Sequence, residues 1–238
     1  MFTEKLTKDN YALLTEELQK AADPKYRDFH ASLVPNEDKG RILGVRMPRL
    51  RKIARAAGKD DPRGFLEICG DDTYEERILR AIVTGMIVPS DCAELCALAD
   101  GFLPYVNCWA VCDCFCAGLK QVKKYRAAFF EHIGAYLSGD MWAQRVSMVM
   151  MLSYYLDEMY IDRVLARVDS VRAEAYYVQM AQAWLLATAL AKCPAPTLAY
   201  YCSNSLDSYT QNKAIQKALE SRRIDDETKK VLRALRSA

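Results

Sequence analysis

Apolar residues recur at helical spacing along most of the chain. Six side chains of one C-terminal segment follow the spacing i, i+3, i+4, i+7, i+8 and i+11 of a single helical face: Tyr177, Met180, Ala181, Trp184, Leu185 and Thr188. Thr73-Tyr-Glu-Glu76 is a capping-box pattern that opens an apolar segment through Ile87. Prolines stand at or near the beginnings of periodic segments: Pro24, Pro48, Pro62 and Pro89. The pattern predicts helices joined by short connections.

The predicted helices recur at a regular interval. Strong helices are predicted to begin near Asn107, Met141 and Ala175, at steps of 34 residues, which is close to the period of helical-pair repeats. No glycine follows Gly139, so this part of the chain has little room for β-hairpins. We therefore predict an all-α fold, an α-solenoid of stacked helix pairs with a concave face, formed by a single domain over residues 1–238.

Composition is that of a globular protein outside the membrane. Hydrophobic residues make up 51% of the 238 residues and charged residues 27%, which excludes a disordered chain. The longest apolar runs, such as 146–152, are shorter than the roughly 20 residues of a membrane span. Lys5, Lys8 and Asp9 interrupt any early hydrophobic region, so no signal peptide is expected. We expect a cytoplasmic protein.

The nine cysteines do not form a recognisable metal or disulfide pattern. Their number is odd and none lies in a CxxC pair. Four of them cluster at Cys108, Cys112, Cys114 and Cys116, and on a helix Cys114 points away from Cys112 and Cys116. This spacing is poor for tetrahedral zinc, and the two histidines are scattered. We predict no metal and no cofactor, with the thiols packed as small hydrophobic groups.

Trp109 and Asp113 are the most informative pair in the sequence. They stand four residues apart, so on a helix both side chains point the same way. Burying an uncompensated polar group costs about 2–7 kcal/mol and burying a charge costs more. Asp113 is therefore predicted either to be paired or to have a functional role.

Arg145 and Trp184 extend this pair at repeat-like spacing. The steps are 36 residues from Trp109 to Arg145 and 39 from Arg145 to Trp184, so one such residue per repeat would bring the four side chains to the concave side. Taken singly, each tryptophan is typical of a core aromatic, Arg145 of a bridging or solvated arginine, and Asp113 of a helix cap or ion-pair partner. Together they predict a cleft suited to a cationic ligand.

Basic residues form three clusters although the net charge is only +2. The segment 39–59 contains eight basic residues and no acidic one: Lys39, Arg41, Arg46, Arg49, Arg51, Lys52, Arg55 and Lys59. The second cluster is Lys120, Lys123, Lys124 and Arg126, and the third is Lys213, Lys217, Arg222 and Arg223. Any one cluster is typical of a solvated face. Three in different repeats predict contact with a phosphate backbone, whose affinity falls with salt.

Five segments carry a resemblance to a known family. They are ILGVRMPRLRKI at 42–53, YEERIL at 74–79, NCWAVCDCFC at 107–116, YYVQMAQAWL at 176–185 and NKAIQK at 212–217. In this order they resemble the bacterial DNA alkylation repair family, the AlkD-like alkylpurine DNA glycosylases built from HEAT-like helical repeats. The resemblance runs from about Tyr26 to Arg223, and the segment around Trp109 and Asp113 is its most specific part.

The resemblance implies a monofunctional glycosylase of the bacterial cytosol or nucleoid that removes N3- and N7-alkylated purines from duplex DNA in base excision repair. It implies that Asp113 is the catalytic carboxylate, that Trp109 and Trp184 flank the damaged nucleotide, and that Arg145 holds the backbone. Tyr26 is expected to be a further aromatic residue of the site. The family is expected to act as a monomer on a base left in the duplex.

The chemistry of these side chains suits that role. An N3- or N7-alkylpurine is a cation, so its glycosidic bond is weakened and its departure needs no general acid. A carboxylate at Asp113 can stabilise the oxocarbenium-like transition state and orient water. Eight basic residues are predicted to contact the DNA backbone: Arg46, Arg49, Arg51, Lys52, Lys123, Lys124, Lys213 and Lys217.

Two other classes of function remain open from the sequence. A helical-repeat scaffold for a protein partner explains the repeats and the cysteines, but it leaves Asp113 beside Trp109 unexplained. A non-catalytic DNA-binding paralogue would bind duplex without cleaving it. The presence of the expected residue types at Trp109, Asp113, Arg145 and Trp184 favours activity.

Overall fold

The predicted all-α class is confirmed. A computed structural model describes Phe2 and residues 4–236, and this part of the chain contains fourteen α-helices and no β-strand. The chain forms two compact units, 1–125 and 126–238, which are described separately. The assignment of residues 1–238 to one HEAT-like domain with a concave face stays a prediction. No helix within the described residues is long and apolar enough to span a membrane.

The first unit contains seven α-helices. They are α1 Ala12–Lys20, α2 Pro24–Leu33, α3 Met47–Ala57, α4 Pro62–Ile68, α5 Tyr74–Thr84, α6 Cys92–Phe102 and α7 Trp109–Gly118. Short 3-10 turns cover Lys39–Arg41, Leu103–Tyr105 and Lys120–Lys124. Helix α5 packs against both α3 and α7, and every residue of α5 except Ile82 is buried. The centre of this unit is therefore α5, with α3 and α7 on either side.

The predicted capping box at the start of α5 is confirmed. The Glu76 N–H donates to Thr73 Oγ1 at 3.2 Å, and the Thr73 N–H donates to Glu76 Oε2 at 2.9 Å. The helix ends at Thr84, three residues before the Ile87 suggested by periodicity, and Gly85 is its C-cap residue. A Cβ at Gly85 would lie 2.6 Å from the Gly118 carbonyl oxygen. Only glycine allows α5 and α7 to approach this closely at their C-terminal ends.

The loop that leads into α3 is anchored by a buried carboxylate. Glu75 accepts the N–H groups of Leu43 at 3.0 Å, Gly44 at 2.8 Å and Val45 at 3.1 Å. Burial raises the pKa of Glu75, while the three backbone donors favour its charged form. Within the described residues Gly44 alone has a positive φ, 89°, which favours glycine. The basic segment before and along α3 is thus fixed to the core by α5.

Gly44→Ala is expected to lower the free energy of unfolding by about 2–4 kcal/mol. The new Cβ would meet the Asp23 carbonyl oxygen at 2.4 Å in addition to the strained φ. Gly101→Ala is the matched control, because a Cβ there meets nothing within 4 Å and the residue lies in α6. It should raise stability by about 0.5–1 kcal/mol. Urea unfolding followed by circular dichroism measures both, and equal effects would contradict the prediction.

The second unit also contains seven α-helices. They are α8 Arg126–Gly134, α9 Met141–Tyr154, α10 Ile161–Ser170, α11 Tyr176–Lys192, α12 Pro194–Ser203, α13 Ser208–Glu220 and α14 Asp226–Ala234. A 3-10 turn covers Ala135–Ser138. Helix α11 packs against both α9 and α13, and it is the most buried helix of this unit.

Both units show packing between alternate helices. In the first unit α5 lies against α3 and α7, and in the second α11 lies against α9 and α13. The helices predicted to begin near Asn107, Met141 and Ala175 begin at Trp109, Met141 and Tyr176. The predicted helix starts are therefore confirmed to within two residues. Alternate-helix packing is what a helical-repeat architecture requires of each unit.

Candidate functional site

Helix α7 separates its side chains into a core face and an open face. Val111, Cys112, Phe115 and Cys116 are buried, together with Cys108 just before the helix. Trp109 and Asp113 lie off this core face and are both half-buried. The helix therefore directs an indole and a carboxylate one turn apart along the same side, as predicted.

The Trp109 ring is held by the C-terminal end of α2. Its indole N–H donates to the Leu33 carbonyl oxygen at 2.7 Å. Leu33 is the last residue of α2, where a carbonyl group lacks a partner within its own helix. One hydrogen bond thus satisfies a helix end and fixes the orientation of the indole.

A buried ion pair positions the start of α7. The Arg77 guanidinium donates to Glu37 Oε2 at 2.5 Å, and both side chains are almost completely buried, at 5% and 1% exposure. Asn107 Nδ2, two residues before α7, donates to the same Glu37 oxygen at 2.7 Å. Arg77 also donates to the Asp71 carbonyl at 2.9 Å. The Glu37, Arg77 and Asn107 network therefore connects α5 to the segment that carries Trp109.

Tyr26 lies on α2, the helix that accepts the Trp109 N–H. Its ring stacks on His30 with centroids 5.7 Å apart, and His30 lies 4.7 Å from the Tyr74 ring of α5. The Arg46 guanidinium is 4.5 Å from the centre of the Tyr26 ring and pairs with Asp23 at 3.0 Å. Burial lowers the pKa of His30, which favours the neutral ring. Tyr26, His30 and Tyr74 thus form one aromatic cluster, and the Arg46 guanidinium lies over the Tyr26 ring.

Two nearby charges of opposite sign affect the pKa of the Cys114 thiol on α7. Burial raises the pKa of this thiol to about 11, the Arg51 charge opposes this shift, and the Asp113 charge adds to it. Arg51 on α3 and Asp113 on α7 are therefore close enough to act electrostatically on one thiol. The thiol is protonated at neutral pH. Cys108, Cys112 and Cys116 pack as small hydrophobic groups, as predicted.

The basic residues of α3 fall into two groups. Arg49 pairs with Glu17 of α1, whereas Arg51, Lys52, Arg55 and the following Lys59 form no ion pair in the part of the chain that the structure describes. These last four side chains line a cavity of about 890 Å³ together with Lys5 and Phe2. Glu4, Asp60 and Asp61 stand at the same cavity, and Asp61 pairs with Lys5 at 2.7 Å. We call Arg51, Lys52, Arg55 and Lys59 the basic flank of α3.

Three residues of the second basic cluster, Lys120, Lys123 and Lys124, lie on the 3-10 turn after α7, whereas Arg126 begins α8 in the second unit and pairs with Asp157. Lys123 and Lys124 are exposed, and the Lys124 ammonium lies 5.0 Å from the centre of the Tyr125 ring. Both belong to the first unit, as does the basic flank of α3.

In the second unit, Trp184 is not a core aromatic. Its side chain is 39% exposed, while neighbouring α11 residues such as Leu185 and Leu186 are buried. Trp184 and Lys217 line the same depression of about 270 Å³. Lys213, one turn before Lys217 on α13, lies outside it, with its ammonium 5.5 Å from the centre of the Tyr209 ring.

Arg145 bridges α9 to the beginning of α11. It is only 5% exposed, and its Nη1 donates to the Tyr177 carbonyl at 2.9 Å. The Trp142 ring stacks on the Tyr177 ring, with centroids 5.1 Å apart and an interplanar angle of 29°. Trp142 has no role among the predictions made from the sequence. Two features of the sequence could have indicated Trp142. It stands one turn before Arg145, and α11 begins with the aromatic pair Tyr176 and Tyr177.

The predicted site residues are thus placed in two groups. The first unit contains Tyr26, Trp109 and Asp113 with Arg46, Arg49, Arg51, Lys52, Lys123 and Lys124, and the second contains Arg145, Trp184, Lys213 and Lys217. Their catalytic and DNA-binding roles stay predictions. The sequence did not indicate Glu37, Arg77 and Tyr74, because their partners are distant in the chain. The stacking of His30 on Tyr26, four residues away on α2, follows helical spacing and could have been predicted. Among the described residues, no group of three or more His, Cys, Asp or Glu side chains could hold a metal ion.

Comparison with known families gives a match that covers most of the chain. The model of the family described as DNA alkylation repair enzyme matches residues 14–219. No curated protein matches the chain. The family match includes every predicted site residue and ends at Leu219, within the last turn of α13.

Proposed function

The chain belongs to the DNA alkylation repair enzyme family, and from this we propose that it is a monofunctional DNA glycosylase that releases N3- and N7-alkylated purines from duplex DNA. Membership supports a role in DNA repair, with DNA as the substrate. The observation that carries the glycosylase proposal is the open side of α7, where a half-buried Asp113 follows a fixed Trp109 by one helical turn.

Asp113 is proposed to stabilise the reaction electrostatically. The bond between C1′ and the purine nitrogen breaks heterolytically, and its electron pair goes to the base, which leaves as a neutral molecule. Positive charge then develops on the deoxyribose, and a carboxylate in a partly water-excluded position stabilises it. Water adds to C1′ and loses its proton to the carboxylate or to solvent.

The two tryptophans are proposed to favour the cationic nucleotide over an undamaged one. An indole face attracts a cation by about 0.5–2 kcal/mol. The Trp109 N–H is already bonded to Leu33, so its ring is oriented before DNA binds. Trp184 is 39% exposed and accessible to a ligand. Because each ring prefers the cation, both contribute to selectivity for alkylated bases.

Arg145 is proposed to hold a phosphate of the damaged strand. A guanidinium suits this role because its planar fork matches phosphate oxygens. The hydrogen bond from Nη1 to the Tyr177 carbonyl supports a fixed position of this arginine at the beginning of α11. A fixed arginine loses less conformational freedom when it binds.

The basic flank of α3 is proposed to contact the DNA backbone. Its four cations have no ion-pair partner within the described residues, so phosphates would not compete with protein carboxylates already paired to them. Arg51 is also close enough to α7 for its charge to lower the pKa of the Cys114 thiol, the residue that follows Asp113. Before it could contact a phosphate, Arg46 would have to share or break its ion pair with Asp23. Arg49 would have to do the same with its ion pair to Glu17.

The proposal is tested by base release and by salt dependence. We expect the protein to release 7-methylguanine and 3-methyladenine from methylated duplex DNA, detected by chromatography. Duplex affinity should fall steeply with salt, and Lys52→Ala should reduce the slope of log affinity against log salt by about 1. Lys8→Ala, an exposed lysine outside the α3 cavity, should leave the slope unchanged.

Two outcomes would favour the other classes of function. Salt-dependent duplex binding without base release would indicate a non-catalytic DNA-binding paralogue. Affinity for duplex that is absent or independent of salt would indicate a protein-interaction scaffold, because binding to phosphates must release counterions.

A further inference from the structure

Cys92 and Cys96 form a pair of thiols on α6. They stand four residues apart on the helix, and their sulfur atoms lie 3.9 Å apart, which is the distance of a weak hydrogen bond between thiols. Both side chains are partly exposed. In this they differ from the five cysteines that the core buries: Cys69, Cys108, Cys112, Cys116 and Cys193. Packing as small hydrophobic groups therefore does not account for this pair.

Helical geometry opposes a disulfide between the two cysteines. Side chains four residues apart on an α-helix have Cβ atoms about 5–6 Å apart, whereas a disulfide needs about 3.5–4.5 Å. The first turn of α6 is also fixed by hydrogen bonds. The Glu94 N–H donates to Asp91 Oδ1 at 2.8 Å, and the Ser90 N–H donates to Glu94 Oε2 at 2.7 Å. Cys92 and Cys96 are therefore expected to remain two thiols on the same side of the helix.

The distance between the sulfur atoms suits two ligands of one metal ion. With metal–sulfur bonds of about 2.3 Å, as in zinc thiolates, a separation of 3.9 Å corresponds to an S–metal–S angle of about 116°. This angle lies between the tetrahedral value of about 109° and the trigonal value of about 120°, whereas a linear ion would need sulfurs about 4.6 Å apart. Two thiolates can thus bind such an ion without a change in the helix.

The charges that act on Cys96 favour a cation. Burial and the neighbouring Cys92 raise the pKa of the Cys96 thiol to about 12, and the Asp100 carboxylate, one turn later on α6, adds to this shift. The positive charge of Arg51 opposes the corresponding shift at Cys114. A thiol that is protonated at neutral pH is a weak nucleophile, so the pair is poorly suited to covalent chemistry. A metal cation beside Asp100 would instead be attracted by the negative charge.

We propose that Cys92 and Cys96 bind one thiophilic divalent cation, of the class of Zn²⁺ and Cd²⁺, as a two-thiolate site on α6. Each thiol loses its proton as its sulfur–metal bond forms, so one ion replaces two protons. Water or a small molecule completes the coordination. Sulfur ligands select this class over Mg²⁺ and Ca²⁺, which bind oxygen. The CxxxC spacing did not indicate the site, because structural zinc sites are recognised by closer pairs and four protein ligands.

The test is a titration of the intact, reduced protein with Cd²⁺, followed by the ultraviolet absorption of cadmium–thiolate bonds. Cys92→Ser and Cys96→Ser should each weaken Cd²⁺ affinity by more than about 100-fold, since losing a group that only supports a ligand costs about 10–100-fold. Cys202→Ser is the matched control, at an exposed cysteine on α12, and should leave the affinity unchanged. Excess Mg²⁺ should not displace Cd²⁺.

The pH dependence of the affinity distinguishes two thiolate ligands from one. Cysteine thiols have an ordinary pKa of about 8.5, so both are expected to be protonated between about pH 6 and 7. Over this range the logarithm of the Cd²⁺ affinity should rise by about 2 per pH unit for a site that releases two protons. Binding by one thiol would give a slope of about 1. A slope near 1 in wild type would overturn the two-thiolate site.

Thermal unfolding separates lost binding from lost folding. Without metal, the serine variants should unfold at the wild-type temperature, and a variant that does not is replaced by its alanine counterpart, which favours the helix. With Cd²⁺, the midpoint should rise for wild type and Cys202→Ser but not for Cys92→Ser or Cys96→Ser. Wild-type affinity in either Cys92→Ser or Cys96→Ser, or the same rise in all four proteins, would overturn the proposal.

The metal site does not rest on the proposed glycosylase function. Neither Cys92 nor Cys96 is among the residues proposed to act on DNA, so their serine variants should release alkylated base at the wild-type rate. Base release without Cd²⁺ binding would overturn the metal site alone. Cd²⁺ binding with the expected slope, but without base release, would overturn the glycosylase proposal alone.

Discussion

Asp113→Asn is expected to reduce the release of 7-methylguanine from methylated duplex DNA by about 100-fold or more. Removing one group that stabilises transition-state charge typically reduces kcat by about 10²–10³. Asparagine has nearly the same shape as aspartate, so the loss would come from the missing negative charge. Single-turnover release measured by chromatography gives the rate of the chemical step without product release.

The Asp113 experiment has a matched control and a clear negative outcome. Asp9→Asn makes the same chemical change at an exposed residue and should leave the rate unchanged. Duplex affinity of Asp113→Asn should equal or slightly exceed that of wild type, because a negative charge near phosphates is removed. Equal release by Asp113→Asn and wild type would exclude Asp113 as the catalytic carboxylate.

Glu37→Gln is expected to lower the free energy of unfolding by about 3 kcal/mol. The substitution leaves the buried Arg77 guanidinium without its counter-charge, and breaking a buried ion pair from one side typically costs about 3–5 kcal/mol. Asn107 keeps an amide oxygen as a possible acceptor, so the effect should lie near the lower end of that range. Urea unfolding followed by circular dichroism measures the change.

A double variant distinguishes the ion pair from general disruption of the core. Arg77→Met with Glu37→Leu removes both buried charges, and it should be less destabilised than the sum of the two single variants. Glu67→Gln, at an exposed glutamate of α4, should stay within about 0.5 kcal/mol of wild type. Additive effects of the two buried substitutions would show that Glu37 and Arg77 do not stabilise one another.

The Glu37 network also bears on function. It holds Asn107 two residues before α7, so it anchors the segment that leads into the helix that carries Trp109 and Asp113. A variant that still folds but has a misplaced α7 would lose activity without losing its catalytic carboxylate. Comparing the single-turnover rates of folded Glu37→Gln and Asp113→Asn would separate positioning from catalysis.

Much of the fold is determined by local sequence. Helix starts follow from capping residues, prolines and periodicity, which act within one or two turns, and this is why Thr73, Met141 and the beginning of α7 were predicted well. The shared side of Trp109 and Asp113 follows from helical geometry alone. The buried thiols of α7 likewise follow from its apolar pattern.

Tertiary structure determines which polar side chains pair with other groups of the protein and which remain available to bind a ligand. Trp109 bonds to a carbonyl 76 residues away, Arg77 to a carboxylate 40 residues away and Arg49 to one 32 residues away. Periodicity cannot indicate such partners, because it reports only which side of a helix a residue occupies. Arg49 and Arg51 therefore look alike in the sequence, yet α1 supplies a carboxylate to Arg49, and among the described residues none pairs with Arg51. In the same way, folding places Lys217 beside Trp184 and leaves Lys213 outside, because only the packing of α13 on α11 determines what faces the depression.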